Sequence, residues 1–215
     1  MNRTSDGPAV VHTESAPPLV LGSASPRRKM LLEMLGLPFD VVPSGIEEAL
    51  APGEEPAAHA ERLAREKAAA VAVQRPEALV IGGDTLVVID HTPLGKPRDE
   101  RAAVDMLMRL QGDTHRVETG VAVVTPGGRV ESSVVSVHVR FRPFDRHTAE
   151  QYVATGEPMD KAGSYGIQGY GATLVEWIEG DYFAVMGLPL ARLVSLLRAV
   201  GWHYAFGSLE ALPRA

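Results

Sequence analysis

Two adjacent arginines close a short, hydroxyl-rich turn near the start of the chain. Ser23 and Ser25 precede Pro26, Arg27 and Arg28. Ser25 can cap a helix that begins at Pro26, and the N–H groups of a helix N-terminus, with hydroxyls and guanidinium groups, can bind phosphate. The alternative is a capped helix with two solvated arginines. Repulsion between two guanidinium groups at the positive end of a helix dipole favours a bound anion.

A carboxylate follows two glycines at the end of a second apolar run. The segment is Gly82-Gly83-Asp84-Thr85, and its glycines allow a ligand to approach the backbone closely. The same pattern also fits a strand with a bulge and a solvated aspartate. Asp84 is nevertheless a candidate general base or metal ligand, because hard cations prefer carboxylate oxygen.

A third candidate site is the glycine-rich segment 160–169. Asp160, Lys161 and Gln168 supply an acid, a phosphate donor and an amide that could read the edge of a base. The glycines between them could also mark nothing more than a flexible loop. We predict that all three segments lie on turns, where functional residues concentrate.

Other charged residues are weaker signals when each is taken alone. Glu47 and Glu48 follow a Pro-Ser-Gly turn, Lys67 belongs to a charged helix, and Lys96 lies in a turn. Each of these is typical of a solvated surface position. The histidines show no metal-ligand spacing, and the P-loop, the dinucleotide-binding fingerprint and the G-x-S-x-G signature are absent from the sequence.

The amino-acid composition excludes several classes of protein function. The chain has 215 residues, no cysteine and a net charge of −6. The lack of cysteine excludes disulfides and thiolate chemistry and agrees with a cytoplasmic protein. The acidic balance argues against a nucleic-acid coat, and no apolar window is long enough for a membrane span. Segment 1–18 does not resemble a secretory signal, and we expect it to be a dispensable leader.

Apolar periodicity and turn residues predict alternating strands and helices, and hence a mixed α/β fold. The predicted helices are 25–35, 59–73, 99–110, 145–154 and 190–200. The first of them has an apolar stripe of Met30, Leu31, Met34 and Leu35. The predicted strands are 18–21, 39–42, 78–81 resuming at 86–89, 119–124, 130–141, 173–178 and 182–186.

Seven segments of this chain resemble, in the same order, motifs of the Maf family of nucleoside triphosphate pyrophosphatases. They are LGSASPRR at 21–28, SGIEE at 44–48, LAREKA at 63–68, GDT at 83–85, GKPRD at 95–99, DKAGSYGIQG at 160–169 and VMGLP at 185–189. The resemblance extends over residues 19–201, nearly the whole chain. It implies an elongated α/β fold of mixed sheet and flanking helices, with two lobes around a nucleotide cleft as in inosine triphosphate pyrophosphatases. We therefore expect a leader at 1–18, one domain at 19–203 and a tail at 204–215.

The resemblance also implies hydrolysis of a nucleoside triphosphate to a monophosphate and pyrophosphate with a divalent cation, Mg²⁺ or Mn²⁺. In this interpretation Glu47 and Asp84 hold the metal, and Asp84 is also the general base. The cationic groups expected to neutralise the triphosphate are Arg27, Arg28, Lys67 and Lys96, of which Lys67 and Lys96 are counted with Asp84 as catalytic. Ser23, Thr85, Lys161 and Gln168 complete the predicted substrate site.

The resemblance further favours dTTP or UTP as the substrate, because that branch of the family has Arg, Thr and Gln where this chain has Arg27, Thr85 and Gln168. An amide can pair with both the O4 acceptor and the N3–H donor of uracil. Two alternatives stay open, a pyrophosphatase for 7-methyl-GTP and a nucleotide-binding regulator of division that does not hydrolyse. The family is also associated with inhibition of septum formation, and a homodimer is expected because such dimers are the commonest assemblies.

Overall fold

The computed structural model describes residues 15–213, which form a mixed α/β fold, as predicted. The sequence prediction of a leader concerns residues 1–18, of which 1–14 lie outside the described part. The strands are β1 Leu19–Leu21, β2 Asp40–Val41, β3 Leu79–Ile89, β4 Thr92–Leu94, β5 Thr114–Val124, β6 Val130–Phe141, β7 Val175–Glu179, β8 Trp202–Tyr204 and β9 Leu209–Ala211. The helices are α1 Pro26–Glu33, α2 Pro56–Gln74, α3 Glu100–Leu110, α4 Arg146–Val153, α5 Tyr182–Met186 and α6 Leu190–Ala199.

Seven strands form one mixed sheet in the order β2-β1-β3-β5-β6-β7, with β4 paired to β3. Strands β2, β1 and β3 run parallel, whereas β3, β5, β6 and β7 pair antiparallel along long ladders. Strand β3 therefore lies where the parallel part meets the antiparallel part. A separate hairpin, β8–β9, follows the last helix and crosses the predicted domain limit at residue 203.

The sheet is covered on both faces, because successive side chains of a strand point to opposite sides. Val80 of β3 packs with Ala64, Ala68 and Val71 of α2 in one apolar cluster. Its neighbour Ile81 belongs to a second and larger cluster, to which α1, α3, α4, α5 and α6 all contribute. Within the described residues no helix is long and apolar enough to cross a membrane.

Side-chain caps fix three helix starts that the sequence predicted. Ser25 Oγ accepts the backbone N–H of Arg28 at 3.4 Å, Asp99 caps α3 and Asp145 caps α4. The predicted apolar stripe of α1 was partly wrong. Leu31 and Leu32 are buried, whereas Met30 and Met34 are 41% and 59% exposed.

Two further local predictions were wrong. Residues 182–186 form helix α5 and not a strand, because Asp181 Oδ1 accepts the N–H groups of Phe183 and Ala184 and starts a helical turn there. Gly82–Thr85 lie inside the continuous strand β3 and not on a turn, since their ladder with β5 is unbroken. The predicted strand at 173–178 begins two residues later, after the 3₁₀ segment Gly169–Leu174.

Candidate active site

A cavity of about 470 Å³ opens where the parallel part of the sheet meets the segment 160–168. Its walls come from the turn before α1, the loop 43–48, helix α2, strand β3 and the end of α5. Nine of the ten predicted site residues line it. They are Ser23, Arg27, Arg28, Lys67, Asp84, Thr85, Lys96, Lys161 and Gln168.

Arg28 ties three of these walls together. Its Nη1 donates to Ser23 Oγ at 3.1 Å, its Nη2 to Thr85 Oγ1 at 3.2 Å and its Nε to the Gly187 carbonyl at 2.9 Å. Burial lowers the pKa of the Arg28 guanidinium, while the charges of Asp84 and Glu48 act in the opposite direction. The residue therefore holds the start of α1, strand β3 and the end of α5 in register around the cavity.

Lys67 and Asp84 form a buried ion pair at the bottom of the cavity. Lys67 Nζ lies 2.6 Å from Asp84 Oδ1, and each residue is only 4% exposed. The pair is possible because α2 lies unusually close to the sheet at two glycines. A Cβ atom at Gly82 would stand 2.2 Å from the Ala64 carbonyl oxygen, and one at Gly120 would stand 2.1 Å from that of Ala60.

Glu48, and not Glu47, brings the second carboxylate to this pair. Glu48 lines the cavity and forms an ion pair with Lys67 Nζ, which outweighs the effect of burial and lowers the pKa of the Glu48 carboxyl. Glu47 is exposed and lies outside the cavity lining. The sequence signal was the pair itself, but it did not say which member faces inward.

Helix α2 also anchors the loop that carries Glu48. Arg62 donates from Nε and Nη2 to the two oxygens of Glu54, at 2.7 and 2.8 Å, and from Nη2 to the Ala49 carbonyl at 3.2 Å. His59 Nδ1 lies 2.9 Å from the same Glu54 carboxylate. These contacts hold the residue after Glu48 against the helix that bears Lys67.

The opposite wall carries a second set of charges. Asp160 bridges two predicted phosphate-binding residues, with Oδ2 at 2.9 Å from Arg27 Nη1 and Oδ1 at 2.6 Å from Lys161 Nζ. Lys96 is exposed at the rim. The cavity thus gathers five cationic side chains around three carboxylates, an arrangement suited to a polyanion that also brings a cation.

Gln168 supplies the most informative atom of the site. Its Oε1 is buried and has no hydrogen-bond partner. A buried acceptor without a partner costs about 1–3 kcal/mol, and because Gln168 lines the cavity, a ligand that donates a hydrogen bond to its amide would remove this cost. Tyr165, three residues before Gln168, also lines the cavity, and its hydroxyl lies 2.8 Å from Nε2 of the buried His115. The sequence analysis did not single out either of these two residues.

Comparison with known proteins agrees with the motifs. A family model described as "Maf-like protein" matches residues 18–200. The chain belongs to the Maf family. A Maf relative from Moorella thermoacetica, named dTTP/UTP pyrophosphatase, is 54% identical over 184 residues, which are 85% of this chain and 95% of that protein. One of the same name from Clostridioides difficile is 47% identical over 182 residues, covering 84% and 93%.

Among solved structures, a nucleoside-triphosphatase / dITP/XTP pyrophosphatase from Mycobacterium abscessus is 15% identical to this Maf chain. The match has a TM-score of 0.38 and covers 58% of this chain and 74% of that one. At this level the likeness adds nothing to the fold described above.

Proposed function

We propose that this protein hydrolyses dTTP and UTP to the nucleoside monophosphate and pyrophosphate. The observation that carries the proposal is the unpartnered, buried Oε1 of Gln168 in a cavity that is also lined by five cationic side chains and three carboxylates. Gln168 therefore suits a base, and the charged side chains suit the phosphates. The name dTTP/UTP pyrophosphatase, which relatives 44–54% identical to the chain bear, supports the same substrates.

Base selection follows from the hydrogen bonds that an amide can make. Gln168 Oε1 accepts a proton from N3–H of thymine or uracil, and its amide NH₂ donates to O4. Cytosine has no proton on N3 and carries an amino donor at position 4, so both contacts would be lost. Each unpaired buried polar group costs about 1–3 kcal/mol, which corresponds to roughly tenfold to a hundredfold in kcat/KM.

The triphosphate is held by cationic groups that line the cavity. Arg27 and Lys161 face each other across Asp160, and Lys96 adds a charge at the rim. The start of α1 lines the same cavity, and although its Arg28 N–H is taken by Ser25 Oγ, the positive end of the helix dipole adds to this charge. Several donors are needed because an isolated polyanion in a cleft otherwise loses its hydration without replacement.

Asp84 is the proposed base for the attacking water. Lys67 Nζ holds Asp84 Oδ1 at 2.6 Å and so fixes the orientation of the carboxylate, which leaves Oδ2 to accept the proton as the water attacks the phosphoanhydride. General-base assistance of this kind is worth about 10²–10⁴ in rate. Lys96 and Lys161 stabilise the negative charge that develops on the phosphates.

The donor set fits a divalent cation that is shared with the substrate. Within residues 15–213 no group of three or more His, Asp or Glu could hold a metal alone, but Glu48 and Asp84 both reach Lys67 from the cavity wall. Mg²⁺ is commonly bound by one or two carboxylates together with substrate phosphates. Glu48, in place of the predicted Glu47, and Asp84 would therefore hold it, and the ion would supply positive charge against the reacting phosphate.

The decisive experiment measures pyrophosphate release from dTTP, UTP, CTP, GTP and 7-methyl-GTP, with Mg²⁺ and with EDTA. We expect dTTP and UTP to lead by at least tenfold, and EDTA to abolish release. Preference for 7-methyl-GTP would overturn the substrate assignment. Binding of dTTP without release from any nucleotide would favour the non-catalytic regulator. The homodimer, the cytoplasmic location, the lack of nucleic-acid and membrane partners and the link to septum formation stay predictions.

A further inference from the structure

The segment that carries Gln168 is held in place by two residues behind it. Tyr152 lies on α4 and Glu157 begins the 3₁₀ segment Glu157–Asp160. Neither belongs to the residues that line the cavity. Tyr152 is 6% exposed, and its hydroxyl donates to Glu157 Oε1 at 2.8 Å.

The two side chains bind the backbone on opposite sides of Gln168, Tyr152 before it and Glu157 after it. The Tyr152 hydroxyl accepts the N–H of Gly166 at 3.0 Å. The Glu157 carboxylate accepts the N–H groups of Tyr170 at 2.8 Å and of Gly171 at 3.0 Å. Three backbone donors within six residues thus point at one hydroxyl and one carboxylate.

Burial raises the pKa of Glu157, but the hydrogen bonds from Gly171, Tyr170 and Tyr152 outweigh it and leave the pKa below its ordinary value. The carboxylate is therefore charged at neutral pH, and its bonds to the two backbone N–H groups are of the stronger, charge-assisted kind. The network is connected, because the Tyr152 hydroxyl both donates and accepts within it.

Glycines make this close approach possible. Gly169 has a φ of +80°, and a Cβ there would lie 2.5 Å from Glu157 Oε2. A Cβ at Gly171 would lie 2.3 Å from the Gly166 carbonyl oxygen and 2.6 Å from the Tyr152 hydroxyl. The glycines around Gln168 thus allow Tyr152 and Glu157 to bind its flanking backbone closely; we call this pair of residues the clamp. The sequence alone had left open that these glycines mark only a flexible loop.

We propose that Tyr152 and Glu157 are positioning residues for base recognition, holding residues 166–171 so that the Gln168 amide faces the base. They act through the backbone and touch no substrate. The inference rests on the proposed function, in which Gln168 reads the base. It predicts that selectivity between bases depends on two side chains that lie outside the cavity.

The test compares Tyr152→Phe with Tyr204→Phe. Tyr204 is the matched control, since its partly buried hydroxyl also makes one backbone hydrogen bond, to the Leu35 carbonyl at 2.8 Å, but lies outside the cavity lining. Steady-state kcat and KM are measured for dTTP, UTP and CTP well below the melting temperature of each variant. Glu157→Gln is measured in parallel, because it keeps the shape and removes the charge.

In Tyr152→Phe we expect the ratio of kcat/KM for dTTP over CTP to fall about tenfold, mainly through a higher KM for dTTP. In Glu157→Gln the fall is smaller, about threefold, because the amide oxygen can still accept from the Tyr152 hydroxyl and the Gly171 N–H and only the bond from Tyr170 is lost. Tyr204→Phe keeps the wild-type ratio within about twofold. A lower melting temperature in Tyr152→Phe with an unchanged ratio would overturn the proposal, since a purely structural residue does that. An unchanged ratio with unchanged stability would overturn it as well.

Failure of the proposed function looks different. In that case the wild-type protein itself shows no preference for dTTP and UTP, or Gln168→Ala keeps the wild-type preference. If Gln168→Ala loses the preference for dTTP over CTP while Tyr152→Phe keeps it, Gln168 still recognises the base, and only the positioning role of Tyr152 and Glu157 is refuted.

Discussion

Replacing Asp84 by Asn separates the chemistry of the buried pair from its role in folding. The substitution keeps the size of the side chain and an oxygen that can accept from Lys67 Nζ, which now lies 2.6 Å from Oδ1. Loss of a general base lowers kcat by about 10²–10⁴. At about 1.36 kcal/mol per tenfold, this is a barrier increase of about 2.7–5.4 kcal/mol.

The cost in stability is expected to be much smaller. Breaking a buried ion pair by deleting one partner costs about 3–5 kcal/mol when a charge is left alone. Here Lys67 keeps its ion pair with Glu48 and a neutral hydrogen bond to the new amide, so about 1–2 kcal/mol is expected. For a chain of this size, that lowers the melting temperature by about 2–8 °C.

The assay is pyrophosphate release from dTTP at saturating Mg²⁺, with thermal unfolding followed by circular dichroism. Glu118→Gln is the control, because Glu118 is a carboxylate of the neighbouring strand, is 1% exposed, pairs with Ser136 and lies outside the cavity lining. It should lose comparable stability and keep its turnover. An Asp84→Asn protein that is folded and turns over within threefold of the wild type would refute the assignment of the base. Equal loss of turnover in Glu118→Gln would show that any buried carboxylate of the sheet has this effect.

Three further predictions concern other parts of the structure. Arg28→Lys keeps the charge, but a lysine ammonium cannot reach Ser23, Thr85 and the Gly187 carbonyl together. The KM for dTTP should therefore rise about tenfold or more in steady-state kinetics, and an unchanged KM would contradict this. Gly82→Val should prevent stable folding in thermal melts, whereas Gly95→Ala, with nothing within 4 Å of its added Cβ, should melt like the wild type. Burial lowers the pKa of His115 to about 3. Between about pH 6.5 and pH 3 only the unfolded chain binds a proton at this residue, so the free energy of unfolding should fall as the pH falls through this window. An imidazole NMR signal of His115 that titrates near pH 6.5 would contradict this expectation.

Local signals predicted the parts of the fold that depend on neighbouring residues. Ser25 caps α1 as predicted, and Asp99 and Asp145 lie at predicted helix starts and cap α3 and α4, since an N-cap needs only a side-chain oxygen and the next turn. Helix α5 was missed because five apolar residues fit a buried strand equally well, and the capping role of Asp181 was overlooked. Short apolar runs of this kind do not distinguish helix from strand.

The candidate site was predicted by residue type rather than by geometry. The motifs identified nine residues, of the ten predicted, that line one cavity. Whether Glu47 or Glu48 faces Lys67, however, depends on how the loop that carries them lies against α2. Arg62 and Glu54 hold the residue after Glu48 against α2, and neither belongs to a motif that the sequence analysis used. The Tyr152–Glu157 pair was likewise hidden, because its function lies in backbone N–H groups that no side-chain pattern reveals.

The contact between α2 and the sheet has a consequence for anyone who redesigns this protein. At Gly82 and Gly120 the helix meets the strands backbone to backbone, so no rotamer change can absorb an added methyl group and the whole helix must move outward. Such a shift would carry Lys67 away from Asp84 even when the substituted residue is far from any ligand. Stabilising substitutions are therefore best placed on the outward face of α2, at exposed positions such as Arg65 and Val73. The inward positions leave almost no room for engineering, because there the spacing of helix and sheet also sets the distance between Lys67 and Asp84.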